Sequence, residues 1–89
     1  MSVTISNPAA GHTVGTSFNA TIIVEEKDST VESCVIGNPP KAAAAIRRQM
    51  PGSNSFVAEF SDVPTSMGPV PLTAKGNAGG IDSINIKVE

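Results

Sequence analysis

Aromatic residues are scarce in this chain of 89 residues, which has three phenylalanines, no tyrosine and no tryptophan. A hydrophobic core must therefore be built mainly from isoleucine, valine, leucine and alanine. The same scarcity counts against a carbohydrate site of the stacking kind, because sugar faces are typically received by aromatic side chains. A chain of this length is predicted to form one domain, residues 1–89.

An excess of positive charge is also missing. The net charge is −2 at pH 7 and the isoelectric point is about 5.2, so nothing draws the chain towards a polyanion and we expect no nucleic-acid partner. The densest basic stretch contains Lys41, Arg47 and Arg48 without interleaved aromatic residues, and we interpret it as a solvated face. The single cysteine, Cys34, excludes an internal disulfide.

Long apolar runs are absent as well. No segment approaches the ~20 apolar residues of a membrane helix, and residues 1–5 have neither the basic start nor the apolar run of a signal peptide. We therefore expect no membrane insertion. We also find no targeting signal that would assign a compartment.

What the sequence does contain is apolar/polar alternation in short segments, separated by turns rich in glycine, proline and asparagine. Period-two alternation is typical of half-buried β-strands. The predicted strands cover residues 3–6, 18–25, 31–36, 41–50, 56–61, 70–75 and 84–89, and Val14 re-enters the sheet briefly. About seven short strands at this spacing predict an all-β fold, a two-sheet antiparallel β-sandwich.

The alternation also predicts which side chains form the core. In residues 31–36 the register is ambiguous, because either Ser33 and Val35 or Cys34 and Ile36 point inward. We favour the second register, which buries a thiol and an isoleucine rather than a hydroxyl. The predicted core residues are Phe18, Ile22, Val24, Ile36, Phe56, Phe60, Leu72, Ile84 and Ile86.

Residues 41–50 admit two interpretations. The alanines from Ala42 to Ala45 favour a helix by propensity, with prolines before them and two arginines after them. Ten residues are few for a helix, however, and the segment leads into a good hairpin turn at residues 51–54. We favour a strand that pairs with the following one.

Two positions disturb the pattern near the end of the chain. Pro71 cannot donate to a ladder, so we expect its end of the strand to lie at an edge or to fray. Ile81 is out of phase with Ile84 and Ile86, which predicts a bulge or bend near Asp82 and Ser83.

Three segments resemble bacterial Ig-like domains. Residues 3–14 (VTISNPAAGHTV) resemble the opening of that family, in which a strand runs into a proline, then a glycine, then a valine. Residues 56–60, followed by a Val-Pro pair, are similar to its middle strand and exit, and residues 72–80 (LTAKGNAGG) resemble its penultimate strand and Asp-x-x-Gly-Asn turn. The resemblance covers nearly the whole chain. It implies an Ig-like β-sandwich from a bacterial or phage surface or extracellular protein.

The departures from that family concern the last turn and the core. Gly76 stands where family members often carry an acidic residue, and Gly80 stands where asparagine often follows. An acidic turn residue is a natural calcium ligand, so these glycines argue against a calcium site in the turn. The Cys-Trp-Cys core of antibody domains is also absent, which excludes a close antibody-type relative.

No catalytic constellation can be assembled from the sequence. His12 is the only histidine and has no cluster of partner ligands, so we interpret it as a surface residue. Cys34 has no evident cationic neighbour to stabilise a thiolate, and we interpret it as buried and inert. Glu25 and Glu26 point to opposite faces if their strand continues, so they do not flank one bond. A weak calcium site using Glu26 and Asp28 stays open as an alternative.

We therefore predict no enzymatic activity, no cofactor and no catalytic, cofactor-binding or metal site. The predicted function is a non-catalytic Ig-like spacer or adhesion-type module, whose partners are neighbouring domains of a parent protein or a surface protein or glycan. The alternative is an accessory carbohydrate- or calcium-binding domain of a larger extracellular enzyme or adhesin, with Asp28 or Asp62 contributing to binding.

Overall fold

Nine β-strands make up the part of the chain that the computed structural model describes, which is residues 3–25, 30–37, 40–65, 68–77 and 79–89. In chain order they are β1 (Val3–Asn7), β2 (Thr13–Val14), β3 (Phe18–Val24), β4 (Val31–Ile36), β5 (Lys41–Ala42), β6 (Ala45–Arg48), β7 (Ser55–Phe60), β8 (Pro69–Gly76) and β9 (Ile81–Val88). These residues contain no helix, and so none long and apolar enough to cross a membrane. The all-β prediction is confirmed.

The strands form two sheets that pack face to face. One sheet has the order β1-β3-β7-β6 and the other the order β2-β9-β8-β4-β5. All neighbouring strands among the described residues pair antiparallel except β2 and β9, which are parallel. This is the strand order of an Ig-like sandwich, so the predicted fold class is confirmed. The described residues contain nine strands instead of seven because the predicted return of Val14 to the sheet counts as β2, and because residues 41–50 are divided into β5 and β6.

Aliphatic side chains from both sheets fill the space between them. Of the predicted core residues, those that are buried are Ile22, Val24, Ile36, Phe56, Phe60, Leu72 and Ile86. Phe18 and Ile84 are only partly buried and pack against the margin of the core. Phe18 stacks on Phe60, with ring centroids 5.0 Å apart and planes inclined by 16°. Such a pair adds to the stability that its buried area supplies.

The register of β4 is the one favoured from the sequence. Cys34 and Ile36 are buried, whereas Ser33 and Val35 are only partly so. Val31 is buried as well, because the pairing of β4 with β8 shifts between Val31 and Ser33. A bulge of this kind changes which face a side chain occupies, so it lets Val31 join the core.

Residues 41–50 are extended, and the predicted pairing with the following strand is confirmed by β6 and β7. The segment nevertheless belongs to two sheets, since β5 pairs with β4. Between them, the Ala43 N–H donates to the Cys34 carbonyl at 2.9 Å and the Ala44 N–H donates to the Glu59 carbonyl at 2.7 Å. The chain therefore crosses from one sheet to the other at Ala43 and Ala44.

The bulge predicted near Asp82 and Ser83 is wrong. β9 pairs with β8 without a register shift from Ile81 to Lys87. Ile81 is out of phase with the core residues because it lies on the outer face of the sheet, where it is 64% exposed. Asp82 takes the inward position next to it. The disturbance in the pattern thus marks an inward-facing carboxylate on a regular strand.

Pro71 lies in β8, one residue beyond the last residue of β8 that pairs with β4. Its carbonyl accepts a hydrogen bond from the Gly37 N–H at 2.9 Å. Because the N–H and C=O of a residue point to the same side of an antiparallel strand, the missing donor also faces β4, and the ladder to β9 is intact. Within the described residues the pairing of β4 with β8 extends only to Leu72. β8 is an interior strand, between β9 and β4, so the prediction of an edge or frayed position is wrong. The proline is accommodated because the β4 ladder has ended at Ile36, where no acceptor among the described residues needs its missing N–H.

The chain enters and leaves the sandwich at opposite ends. Val3 pairs with Val24 at the end of β3, whereas Val88 pairs with Val14 and lies one residue from Lys87, the partner of Pro69. The molecule measures 37 × 20 × 20 Å. An eight-residue strand such as β9 spans about 25 Å, so the strands follow the long axis. We call the end near Val3 the entry end and the end near Val88 the exit end.

Candidate functional site

Cys34 lies under the five-stranded sheet and is 1% exposed, opposite Ala74 of β8. Burial raises the pKa of its thiol from 9.0 to about 12, because desolvation disfavours the thiolate. The thiolate is the form that attacks electrophiles and binds metals. Cys34 is therefore placed for packing, and its predicted burial is confirmed.

His12 is exposed, as predicted, and its backbone holds the loop between β1 and β2. The His12 N–H donates to the Ala9 carbonyl at 3.1 Å, and the His12 carbonyl accepts from the Lys87 N–H at 2.9 Å. Across the described ranges, no three histidine, cysteine, aspartate or glutamate side chains are grouped so as to hold a metal ion.

Two carboxylates considered in the sequence analysis, Glu25 and Asp62, lie at opposite ends of the molecule. Glu25 follows β3 at the entry end, and Asp62 follows β7 at the exit end. Asp62 has a φ of 55°, a left-handed conformation that aspartate adopts more readily than most residues. Glu26 and Asp28 lie outside the described residues, so the calcium alternative that used them stays a prediction.

Asp82 is a carboxylate that forms a hydrogen bond between the two sheets, and sequence reasoning missed this role. Its Oδ2 accepts a hydrogen bond from the Ile5 N–H at 2.8 Å, and its Oδ1 accepts from the Ser83 N–H at 3.0 Å. The first bond joins β9 of one sheet to β1 of the other. The available signal was the phase of Asp82, which falls on the same inward face as Ile84 and Ile86.

Backbone hydrogen bonds and one amide side chain hold the turn between β8 and β9 in place. The Gly76 N–H donates to the Gly80 carbonyl at 2.8 Å, and the Asn77 N–H donates to the Thr30 carbonyl at 2.9 Å. In return the Thr30 N–H donates to Asn77 Oδ1 at 3.0 Å. A Cβ at Gly76 would lie 2.8 Å from Cγ2 of Val3. Packing of β1 therefore leaves no room at the position where the resembled family often has an acidic residue.

The basic stretch lies on the β5–β6 side of the molecule, with Arg47 and Arg48 exposed as predicted and Lys41 half-buried. Arg47 Nε is 2.9 Å from Oε2 of Glu59, and both side chains are open to solvent. The Arg48 guanidinium lies 5.2 Å above the centre of the Phe56 ring. These charges are engaged with their own sheet, which reduces what they offer to a polyanion.

Polar side chains of neighbouring strands meet on the outer face of the five-stranded sheet. Thr73 Oγ1 and Ser83 Oγ are 3.1 Å apart on neighbouring strands. Lys75 Nζ and Oε2 of Glu32 are 4.0 Å apart, both well exposed.

Comparison with known proteins gives structural neighbours only. No protein-family model matches the chain, and no curated protein matches it either. An engineered protein of known crystal structure matches 98% of this chain with a TM-score of 0.60 and 21% identity, and the chain spans 20% of its length. The RIG-5 IG1 homodimer matches 100% of this chain and 99% of its own, with a TM-score of 0.55 and 16% identity. At these identities the comparisons establish the Ig-like β-sandwich fold.

Proposed function

We propose that this chain is a non-catalytic spacer and interaction domain of a bacterial or phage surface protein. The observation that carries the proposal is the path of the chain, which enters beside Gly76 at one end and leaves after Val88 at the other. Each such domain in a series would extend the polypeptide by about its long dimension of 37 Å. Domain termini often lie close together, and a domain of that kind adds little length.

The chemistry of the described residues supports a role without catalysis. Cys34 is held as a neutral thiol in the core, and His12 is exposed on a loop. Among the described residues, His12 belongs to no group of three histidine, cysteine, aspartate or glutamate side chains that could hold a metal ion. The surface location rests on the resemblance of residues 3–14, 56–60 and 72–80 to bacterial Ig-like domains. The neighbouring fold RIG-5 IG1 forms a homodimer, which supports an interaction role for a domain of this shape.

A tandem protein tests the spacer role. Two copies are joined from Glu89 of the first to Val3 of the second, and small-angle X-ray scattering compares the tandem with the single domain. We expect a maximum dimension close to twice 37 Å. A tandem that folds back on itself, with a maximum dimension near that of one domain, would contradict the proposal.

A binding screen separates the spacer from an accessory binding domain. A glycan array is probed with the single domain in the presence and absence of calcium. The proposal expects no selective binding in either condition. Selective binding that is lost in the Asp62→Ala variant, but kept in an Asp82→Asn control, would favour the accessory carbohydrate- or calcium-binding domain instead.

A further inference from the structure

The two ends of the chain are carried by strands that run in the same direction. β1 begins at the entry end and leads through a short loop into β2, and β9 runs from the entry end to Val88 at the exit end. β2 and β9 form the one parallel pair among the described strands. A pull on the two ends of the chain therefore draws the β1–β2 segment, residues 3–14, towards the entry end and β9 towards the exit end.

Backbone hydrogen bonds join β9 to the second half of the β1–β2 segment. Three of them, of 2.7, 2.9 and 3.0 Å, run from the Gly11 N–H to the Asn85 carbonyl, from the Lys87 N–H to the His12 carbonyl and from the Glu89 N–H to the Val14 carbonyl. Hydrogen bonds between neighbouring strands run across the strands, so sliding of the segment along β9 loads these bonds together. Separating the strands from one end would break the bonds one after another, at a lower force.

Asp82 connects β9 to the first half of the same segment. Its Oδ2 accepts a hydrogen bond from the Ile5 N–H at 2.8 Å, across the space between the sheets. Val3 and Ile5 are buried, and Val3 packs against Gly76. β1 therefore cannot slide towards the entry end without losing the bond to Asp82 and exposing two apolar side chains to water.

We propose that β9 and the β1–β2 segment form a mechanical clamp, which keeps the domain folded when it is pulled from its two ends. The contacts that carry the load are the backbone bonds to β9 and the bond between Ile5 and Asp82. The inference rests on the proposed spacer role, because a spacer between other domains transmits tension along its chain. The clamp depends on the direction of the force, since a pull across the sheet does not slide these strands.

Force spectroscopy of single molecules compares two directions of pulling. In the first, handle domains are attached before Val3 and after Glu89. In the second, the handle after Glu89 is replaced by one on a Pro51→Cys variant, in the exposed hairpin turn at the entry end. Cys34 is buried and does not compete for this attachment. The second direction draws β1 and β6 apart from one end, so we expect an unfolding force at least about twofold lower.

Two proline substitutions on β9 form a matched pair for pulling from the two ends. Lys87 and Asn85 are both exposed, and their N–H groups both point away from β8. Lys87→Pro removes the donor of the bond to His12, whereas the Asn85 N–H donates no hydrogen bond within the part of the chain that the structure describes. We expect Lys87→Pro to unfold roughly threefold to tenfold faster at a given force, the effect of one lost backbone bond. Asn85→Pro should unfold at nearly the rate of the wild type.

A third variant keeps the test decisive if Lys87→Pro does not fold by circular dichroism. Asp82→Ala removes the bond to Ile5, and we expect it also to unfold faster than the wild type when pulled from the two ends. An unfolding force that is the same in both directions would overturn the clamp. Equal rates for the two proline variants, together with a wild-type rate for Asp82→Ala, would overturn it as well. The scattering test of the spacer role is independent, because an extended tandem with either result keeps the spacer role and loses the clamp.

Discussion

The two edge strands of the four-stranded sheet, β1 and β6, are held in different ways. β1 buries Ile5 and donates the Ile5 N–H to Asp82 of the opposite sheet. β6 carries a half-buried Ile46 and the exposed ion pair between Arg47 and Glu59. Exposed ion pairs are screened by water and salt and contribute little, whereas buried contacts are not screened. We expect β1 to contribute far more to stability than β6.

The difference also concerns how the two sheets are joined. Antibody domains connect their sheets with a disulfide beside a tryptophan, and this chain has one cysteine and no tryptophan. In this chain, β1 of one sheet contacts the other sheet directly. Val3 packs against Gly76, and the Ile5 N–H donates to Asp82. A polar link between sheets therefore accompanies the aliphatic core. On β6, the ion pair between Arg47 and Glu59 joins two strands of the same sheet.

The largest effect on stability is expected when an isoleucine of β1 is truncated, and an isoleucine of β6 serves as the comparison. Ile5→Ala should lower the free energy of unfolding by about 2–5 kcal/mol, the range for a buried isoleucine. Ile46→Ala should cost less than half as much, because Ile46 is only partly buried. Urea denaturation of both variants measures this. Equal losses would show that the two edges are equivalent.

Filling the contact between β1 and the turn should have the next largest effect. A methyl group at Gly76→Ala must displace the side chain of Val3, and overpacking of this kind costs about 1–3 kcal/mol. Gly15→Ala is the control, because its nearest neighbour would be the Ser17 carbonyl at an ordinary 3.8 Å. The double variant Val3→Ala/Gly76→Ala should lose less than the sum of its parts in denaturation experiments. Strict additivity would argue against the contact.

Removing the polar link should have a moderate effect. Asp82→Ala leaves the partly buried Ile5 N–H without its acceptor, which we expect to cost about 1–2 kcal/mol. Asp82→Asn keeps a carbonyl oxygen at this position and should retain more than half of that stability. Hydrogen exchange of the Ile5 amide, followed by NMR, should accelerate in the alanine variant. Unchanged exchange in both variants would contradict the proposed link.

The smallest effect is expected on β6. Arg47→Ala should change the free energy of unfolding by no more than about 1 kcal/mol, because the pair with Glu59 is exposed. Added salt should reduce even that difference, since it screens surface pairs. Thermal denaturation at low and high salt is the measurement. A loss comparable to that of Ile5→Ala would reverse the ranking of the two strands.

Most of the strands were predictable because alternation records burial directly. Phe56, Ala58 and Phe60 alternate with half-buried residues, and the fold buries all three. The register of β4 followed from the same reasoning at Cys34 and Ile36. The brief return of Val14 to the sheet was also predicted and is confirmed by β2. The division of residues 41–50 into β5 and β6 was missed, because the crossing between sheets at Ala43 and Ala44 has no local signature.

Of the residues described in the candidate site, the sequence predicted the burial of Cys34 but missed the structural role of Asp82. Burial of Cys34 followed from the pattern. Asp82 was read as part of a bulge, because an aspartate at an inward position contradicts simple alternation. Only the approach of β1, whose Ile5 N–H needs an acceptor, makes that position favourable for a carboxylate. That approach depends on residues 77 positions apart in the chain.

The sequence by itself determined the all-β class, the turn positions and most of the inward faces, because these depend on neighbouring residues whose polarity alternates. The tertiary structure alone decided which strands share a sheet, why Gly76 has no room for a side chain, and which half of the β9 edge β2 covers. Those properties depend on contacts between distant segments. Local polarity does not encode such contacts, so they exist only once the two sheets have packed.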